Sequence, residues 1–351
     1  MAEKIKSKWR KIITAVTLIA LAVLIYVTRE EIVVSFYNLA DVKATFLLLA
    51  IILKSFTFHT YTKMYQGLYK ILDKSIRYKS MFKVGLEMNF INNVFPSGGV
   101  TGFSYFGIRM KKHNVRASTS TLVQILRFAV LFVTFMILIF FGLFVLALFS
   151  EVNNLTILFA NTLSILLAVA IAVSVYIIGS QKRIDSFFTF ITKIINKLIQ
   201  LIRPKHPETI NVKRARAGFI HLHENYLELR RKYKQLSKPG GYGLISNILE
   251  VTTIYTVFLA FGEVVNPGAA IIAYAVANFA GLVSVLPGGV GIYEALMTAV
   301  LATAGVSPAL SIPAIIMYRI ITMATQLPIG YYYYHKFINE SPAEANEALN
   351  R

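Results

Sequence analysis

The chain of 351 residues is 56% apolar and only 15% charged, and it contains no cysteine. A soluble domain usually carries about a quarter charged residues, so this composition argues against a soluble fold. The missing cysteine excludes disulfides and thiolate metal sites. A formal net charge of +19 is of the kind seen in nucleic-acid-binding proteins. Its distribution along the chain instead fits membrane topology, and we expect no nucleic acid to bind directly.

Long uncharged runs predict membrane-spanning helices, since roughly 20 helical residues cross the hydrocarbon core. The first run, from Ile12 to Val27, is not followed by a small-residue cleavage pattern. We therefore interpret it as a retained span rather than a secretory signal. Six full spans are predicted in chain order: residues 12–28, 43–62, 119–145, 156–179, 241–262 and 310–334.

Two further apolar segments, residues 81–108 and 268–305, are each interrupted about halfway by a proline and a glycine pair. The breaks contain Pro96, Gly98 and Gly99 in the first segment and Pro287, Gly288 and Gly289 in the second. A broken helix at membrane depth is tolerated only when it is buried in protein or lines a cavity. We therefore predict an all-α polytopic fold with two re-entrant hairpins whose tips approach each other inside the membrane.

The basic residues alternate along the chain as the positive-inside rule requires. A cytoplasmic N-terminus predicts that 31 of the 36 Lys and Arg residues lie inside, and only Arg29 and Lys43 outside. The polar insertion at 181–239 carries 14 of them. Both termini and this insertion are therefore predicted to be cytoplasmic, in a bacterial plasma membrane.

The two broken segments resemble each other, and each precedes a span that holds a single arginine. The proline precedes that arginine by 31 residues in the first copy and by 32 in the second. The shared landmarks are Asn89, Pro96 and Arg127 in the first copy and Asn278, Pro287 and Arg319 in the second. Proline and glycine turns also recur by chance in membrane proteins. The shared asparagine and arginine favour an inverted repeat, which is typical of secondary transporters with a site at the repeat interface.

The repeat predicts the domain organisation. Each unit consists of span, span, hairpin and span, and the two units are inserted with opposite orientation. The first unit covers residues 1–149, and the second covers 150–180 together with 240–335. A cytoplasmic amphipathic helical insertion at 181–239 interrupts the second unit, and residues 336–351 form a cytoplasmic tail.

Six ionisable residues lie in hydrophobic surroundings, and their charges sum to zero: Lys54, Glu87, Arg127, Glu250, Glu294 and Arg319. A charge near the bilayer centre costs about 2.5–3.5 kcal/mol, so it normally faces a partner or a wet cavity. Each arginine begins about 13 Å from the membrane surface, too deep for easy snorkelling. A guanidinium beside a hairpin tip suits a lipid phosphate, and amides after the glycine breaks suit the same anion. The alternative is that the arginines pair with the glutamates and lock helices together.

Carboxamide side chains accompany these charges. Asn93 in the first hairpin and Asn278 in the second are candidates for lining a substrate path. Such amides join membrane helices as often as they bind substrates, so both interpretations stay open.

The insertion contains two helical patterns. Between Lys182 and Arg203 an apolar stripe opposes a face of lysines, which is typical of a helix on an anionic membrane surface. From Val212 to Leu236 apolar residues alternate spacings of three and four. This coiled-coil-like seam predicts packing on a neighbouring helix or subunit.

The sequence contains no phosphate-binding loop, nucleophile elbow or metal signature. ATP-driven transport and hydrolysis therefore have no support, and we expect no cofactor and no bound metal.

The two broken segments are similar to the paired signatures of a known family. They read NNVFPSGG at residues 92–99 and LPGGVGIYE at residues 286–294. These resemble the lysylphosphatidylglycerol synthase transmembrane family, which includes the flippase part of the bacterial multiple peptide resistance factor. The resemblance covers roughly residues 10–335.

The resemblance implies a flippase that moves lysyl-phosphatidylglycerol, or a related anionic or aminoacylated lipid, to the outer leaflet. The displayed cationic lipid repels cationic antimicrobial peptides. Only 16 residues follow His335, so we do not expect the family's cytosolic transferase domain here. The missing domain also leaves a glycolipid or isoprenoid-linked substrate open.

Two alternatives to the flippase remain. One is the membrane part of a phosphatidylglycerol lysyltransferase that acts with a separate catalytic domain. The other is a secondary transporter of a small anionic solute. The expected partners are a membrane phospholipid, a separate lipid-synthesising enzyme and a second copy of the chain.

Overall fold

The computed structural model describes residues 42–95, 100–149, 154–202, 221–283 and 289–340. These residues form helices joined by short turns and contain no β-strand, which confirms the predicted all-α class. The first predicted span and the tail beyond residue 340 lie outside them. The α-helices are α1 Ala44–Ile71, α2 Tyr78–Val94, α3 Val100–Lys111, α4 Ala117–Phe149, α5 Asn154–Ile178, α6 Gln181–Ile202, α7 Leu222–Arg231, α8 Ser237–Ala260, α9 Pro267–Val283, α10 Ile292–Thr303 and α11 Pro308–Glu340.

Within the described ranges, five helices are long and apolar enough to cross a membrane: α1, α4, α5, α8 and α11. They correspond to the second to sixth predicted spans. The helices α2, α3, α9 and α10 have only 12 to 17 residues, which is short of the roughly 20 that a span requires. The chain is therefore a multi-pass membrane protein that combines full spans with half-length helices.

The internal repeat is visible in how corresponding helices end. Asp73 after α1 and Gly262 after α8 both have positive φ, of 51° and 83°. Asn114 after α3 and Gly305 after α10 also have positive φ, of 56° and 85°. At each end, the amide that follows reaches back to a carbonyl five residues earlier, as in a Schellman cap. The two pairs are 189 and 191 residues apart, close to the spacing of the repeated sequence landmarks.

Each broken segment is a hairpin of two antiparallel helices, with 17 residues in the first arm and 12 in the second. In the first hairpin, Tyr105 and Arg109 on α3 reach back to Glu87 on α2. In the second, Gly289 lies against Gly281 on α9. A Cβ added to Gly289 would be only 3.1 Å from the Cα of Gly281. The predicted interruption of both helices is confirmed.

The hairpins enter the bundle from opposite sides. The base of the first lies beside the insertion, because Ile71 at the end of α1 accepts a hydrogen bond from Lys232 (3.2 Å). The base of the second lies at the other side, where Thr303 of α10 and Thr156 at the start of α5 share a hydrogen bond of 2.7 Å. From there α5 runs to the insertion, where its last carbonyl contacts His223 (3.0 Å). The repeat is therefore inverted.

The second spans of the two repeats, α1 and α8, pack antiparallel along their length. Their contacts run from the hydroxyl pair of Thr60 and Ser246 (2.6 Å) to the Lys43 amide and the Ala260 carbonyl (2.9 Å). Because the two helices are equivalent and antiparallel, the pseudo-twofold axis passes between their middles. Residues near this axis meet their own counterparts in the other repeat.

Glycines let the last span of each repeat pack closely on the hairpin of the other repeat. On α4, a Cβ at Gly142 would lie 2.9 Å from the side chain of Ile271 on α9. On α11, a Cβ at Gly330 would lie 2.7 Å from the backbone oxygen of Leu86 on α2. Each hairpin is thus held by the opposite half of the molecule.

The insertion packs on the bundle through α6 and α7. Leu222 and Leu229 are buried, as the predicted seam requires, and α7 contacts α4, α5 and α6. The helix stops at Arg231, and the chain enters a 3₁₀ turn that leaves Tyr233 exposed while Leu236 still packs against the core. Lys232 caps this point, and its hydrogen bond lowers the pKa of Asp73.

Candidate functional site

A cavity of about 270 Å³ lies between the two hairpins. Its wall combines α1, α2 and α4 of the first repeat with α8, α9, α10 and α11 of the second. Its charged and carboxamide side chains are Lys54, Asn89, Asn92, Asn93, Arg127, Glu250, Asn278, Arg319 and Gln326. Both predicted arginines, both predicted asparagines and Glu250 therefore meet at one place.

Arg127 on α4 faces the cavity, and within the described ranges it has no carboxylate partner. Its guanidinium carbon lies 5.8 Å from the centre of the Tyr65 ring and 4.9 Å from that of Phe128. The Tyr65 hydroxyl donates to Gln124 (2.9 Å) and also contacts the guanidinium. No Asp or Glu among the residues described pairs with Arg127, and its buried Nε lacks an acceptor. The aromatic faces stabilise this cation but do not neutralise it.

Arg319 on α11 has a different environment, because its guanidinium donates to Glu294 on α10. The other oxygen of Glu294 accepts the Gly291 amide at 2.7 Å, which closes the first turn of α10 as a capping box. Gly291 has φ +86°, a conformation that favours glycine. This geometry explains the spacing of glycines and glutamate in the second motif. It also means that the Gly291 amide is engaged, so it is not the anion donor that the sequence suggested.

Lys54 and Glu250 form an ion pair close to the pseudo-twofold axis. The Lys54 ammonium is 2.6 Å from each oxygen of the carboxylate, and the Tyr318 hydroxyl donates to the same carboxylate at 2.6 Å. Lys54 lies on α1 and Glu250 on α8, so the pair joins the second spans of the two repeats. Both are almost fully buried, which neutralises two of the charges in the cavity wall.

The asparagines of the two hairpins are held alike. Asn93 donates its side-chain amide to the Asn89 carbonyl (2.8 Å), and Asn278 donates to the Tyr274 carbonyl (2.9 Å). In each case the acceptor is four residues earlier on the same helix. Both carboxamides therefore lie at the cavity wall with their NH₂ group bonded within their own helix, rather than joining two helices.

Glu87 does not line the cavity, contrary to its predicted place in the site. It lies on the face of α2 that packs on α3, opposite the face that carries Asn89 and Met88. There its oxygens accept from Arg109 at 2.5 and 2.8 Å and from Tyr105 at 2.8 Å. Arg109 lies one residue beyond the predicted hairpin segment, residues 81–108. The pair fastens the two arms of the first hairpin.

Most of the predicted hinge residues, namely Pro96, Gly98, Gly99, Pro287 and Gly288, lie outside the described residues. Gly289 is described, with φ +69°. Residues shortly before the two tips, Asn93 in the first hairpin and Gly281 in the second, line the cavity. The inner ends of the two hairpins therefore meet at the same cavity.

Sequence reasoning missed a group of tyrosines in the wall: Tyr61, Tyr65, Tyr274, Tyr293 and Tyr318. Two of the rings make cation–π contacts: Lys54 lies 5.4 Å from the centre of the Tyr318 ring, and Arg319 lies 5.3 Å from that of Tyr293. The signal for two of them was present, since Tyr61 and Tyr65 occupy one face of α1 four residues apart. Across the described ranges, no three His, Asp or Glu side chains converge as a metal-binding group would require.

The inverted repeat, the half-length hairpins and the polar cavity at their meeting point define a multi-pass membrane protein with a central site between two repeats. Residues 9–330 match the model of the family described as "Lysylphosphatidylglycerol synthase TM region". The chain belongs to that family, as the sequence resemblance predicted.

Two similar proteins are UPF0104 membrane proteins. A UPF0104 membrane protein of Pyrococcus horikoshii is 22% identical over 316 residues, which are 90% of this chain and 92% of the relative. A UPF0104 membrane protein of Methanothermobacter thermautotrophicus is 28% identical over 111 residues, 31% of this chain and 32% of the relative. That second match spans about a third of the relative's length.

Proposed function

We propose that the protein is a lipid flippase that carries a phospholipid head group through the central cavity toward the outer leaflet. The observation that supports this most is Arg127, a half-buried cation in a cavity between two inverted hairpins, for which the described part of the chain supplies no carboxylate partner. A guanidinium in that position matches a phosphate, which it binds through paired charge-assisted hydrogen bonds. The cost of taking the phosphate charge into the bilayer is then offset by the arginine.

The wall of the cavity is suited to a lipid rather than to a free ion. Its polar groups, Arg127, Asn89 and Asn278, lie among the apolar side chains of Phe82 and Met323. A head group attached to acyl chains requires both kinds of surface, whereas a small hydrated anion requires only the first. Five helices of the described ranges are long and apolar enough to cross a membrane, so a cavity between them would lie within the bilayer.

The proposal is tested with the purified full chain in phosphatidylcholine vesicles that contain an acyl-labelled phosphatidylglycerol. Leaflet-resolved quenching gives the exchange rate per folded molecule, and thermal unfolding is measured on the same samples. We expect exchange above protein-free vesicles, and at least a tenfold loss in Arg127→Gln because one charge-assisted contact disappears. Arg116→Gln is the matched control, since Arg116 is exposed at the start of α4 and its loss removes the same charge elsewhere.

Two results would contradict the flippase. One is a folded Arg127→Gln variant that exchanges lipid like the wild type. The other is uptake of radiolabelled inorganic phosphate into the same vesicles without any lipid exchange, which would favour the transporter of a small anionic solute instead.

A further inference from the structure

We infer that the head group accepted by this cavity carries a single net negative charge and no ammonium group, so that phosphatidylglycerol-like lipids are preferred over their lysylated forms. This inference rests on the proposed function and narrows its substrate. Its basis is the balance of charge in the cavity, which is set by which cations already have carboxylate partners.

The ionic groups of the cavity wall leave one unpaired positive charge. Lys54 is neutralised by Glu250, and Arg319 is neutralised by Glu294. Arg127 has no such partner in the described part of the chain. A head group of net charge −1 therefore brings the site to neutrality. A head group of net charge +1 would leave two uncompensated positive charges in a buried space, which repel each other strongly in a medium of low polarity.

The carboxylates near the cavity are each already neutralised by a cation, so neither supplies net negative charge for a lysyl ammonium. Both oxygens of Glu250 are engaged, by Lys54 and by the Tyr318 hydroxyl. Both oxygens of Glu294 are engaged as well, by Arg319 and by the Gly291 amide. An ammonium beside either carboxylate would add a second positive charge to a buried pair that is already neutral. The ammonium would therefore remain without a counter-charge.

Glu87 offers no alternative for an ammonium group. It lies outside the cavity, and its oxygens accept from Arg109 and Tyr105. It also holds together the two arms of the first hairpin, so its release would open the hairpin itself.

The neutral part of the wall fits a hydroxylated alcohol attached to the phosphate. Thr322 has a buried hydroxyl oxygen without a hydrogen-bond partner, and Asn89 and Gln326 add carboxamides. Such groups satisfy the hydroxyls of a glycerol or sugar. The volume agrees, because about 270 Å³ lies at the small end of ligand cavities, which span roughly 300–1,000 Å³. A compact phosphoglycerol group suits it better than one extended by a lysyl chain.

The experiment compares three acyl-labelled lipids in phosphatidylcholine vesicles containing the full chain: phosphatidylglycerol, lysyl-phosphatidylglycerol and phosphatidylethanolamine. We expect phosphatidylglycerol to exchange about tenfold faster than its lysylated form, the effect of one buried charge-assisted contact. The preference should disappear in Arg127→Gln and reverse in Arg127→Glu, whose carboxylate would pair with the lysyl ammonium. Arg116→Gln should keep the wild-type preference.

The outcomes separate the two proposals. Equal or faster exchange of lysyl-phosphatidylglycerol by the wild type would overturn the charge selectivity while leaving a flippase. A preference for phosphatidylglycerol that persists unchanged in Arg127→Glu would also overturn it. Exchange of none of the three lipids by correctly folded protein would overturn both the selectivity and the proposed function.

Discussion

Arg127 and Arg319 occupy equivalent places in the two repeats, yet their surroundings differ. Arg319 is tied to Glu294, which at the same time caps α10, so this arginine fastens the second hairpin to α11. Arg127 contacts aromatic rings and the Tyr65 hydroxyl but no carboxylate of the described residues. In the second repeat the arginine holds the hairpin, whereas in the first repeat we propose that the arginine binds a ligand. Sequence symmetry therefore does not imply chemical symmetry.

One residue in each hairpin accounts for this difference. Five residues after the second glycine of the break, the second copy has Glu294 and the first has Ser104. The first hairpin obtains its own ion pair elsewhere, between Glu87 and Arg109 at its base. That pair joins the arms without involving the arginine of the following span. Both hairpins thus contain an ion pair, but only in the second does the pair use an arginine that lines the cavity.

The largest expected effect is on stability, from Glu294→Gln. Glutamine retains the cap on the Gly291 amide but removes the charge, leaving Arg319 buried and unneutralised. Loss of one partner of a buried pair costs about 3–5 kcal/mol. Thermal unfolding in detergent should show this loss, and the double variant Glu294→Gln/Arg319→Gln should recover part of it. A Glu294→Gln protein as stable as the wild type would contradict the fastening role.

A smaller effect is expected where each last span packs on the opposite hairpin. Gly330→Ala should destabilise by about 1–3 kcal/mol, because its Cβ would meet the backbone oxygen of Leu86. Gly142→Ala should cost somewhat less, since its Cβ would lie 2.9 Å from the Ile271 side chain and 3.2 Å from the backbone oxygen of Gly268, a less severe overlap. Gly107→Ala is the control: it has open space and lies in α3, so a gain of about 0.5–1 kcal/mol is expected. Equal losses in all three would refute the packing argument.

Ser104→Glu tests whether the asymmetry comes from the missing carboxylate. By the repeat, a glutamate there should pair with Arg127 as Glu294 pairs with Arg319. We expect lipid exchange to fall about tenfold, because the ligand then competes with a neighbouring carboxylate. Ser104→Gln, of similar size and without charge, should retain exchange. If both variants behave alike, bulk rather than charge is responsible.

The smallest effect is expected for the stability of Arg127→Gln, which should differ from the wild type by less than about 1 kcal/mol. No carboxylate is left unpaired by this change, so none of the usual causes of a large loss applies. A denaturation midpoint lowered as far as that of Glu294→Gln would show instead that Arg127 has a structural partner.

Much of the fold follows from the sequence because it depends on local signals. Hydropathy predicted the five spans that lie in the described ranges, and the prolines with glycine pairs predicted both hairpins. The choice between a free and a paired arginine did not follow, because it depends on depth and on which face of a helix a residue takes: the pairing that the sequence left open holds for Arg319 with Glu294 but, among the described residues, not for Arg127. Glu87 was expected in the cavity, but it turns toward α3 and binds Arg109, just beyond the predicted hairpin segment. The helix of the insertion stops before Lys232, where a bond network with Asp73 and Glu228 replaces the next helical turn.

The central claim is that Arg127 serves the ligand and Arg319 serves the hairpin. The most direct test measures leaflet exchange of labelled phosphatidylglycerol per folded molecule in Arg127→Gln and in the double variant Glu294→Gln/Arg319→Gln. Both lose an arginine, but the double variant loses its carboxylate too and keeps the cavity charge unchanged. We predict that Arg127→Gln is folded and loses at least tenfold in exchange, while the folded double variant exchanges at close to the wild-type rate. A double variant that is folded but inactive, with Arg127→Gln still active, would contradict the assignment.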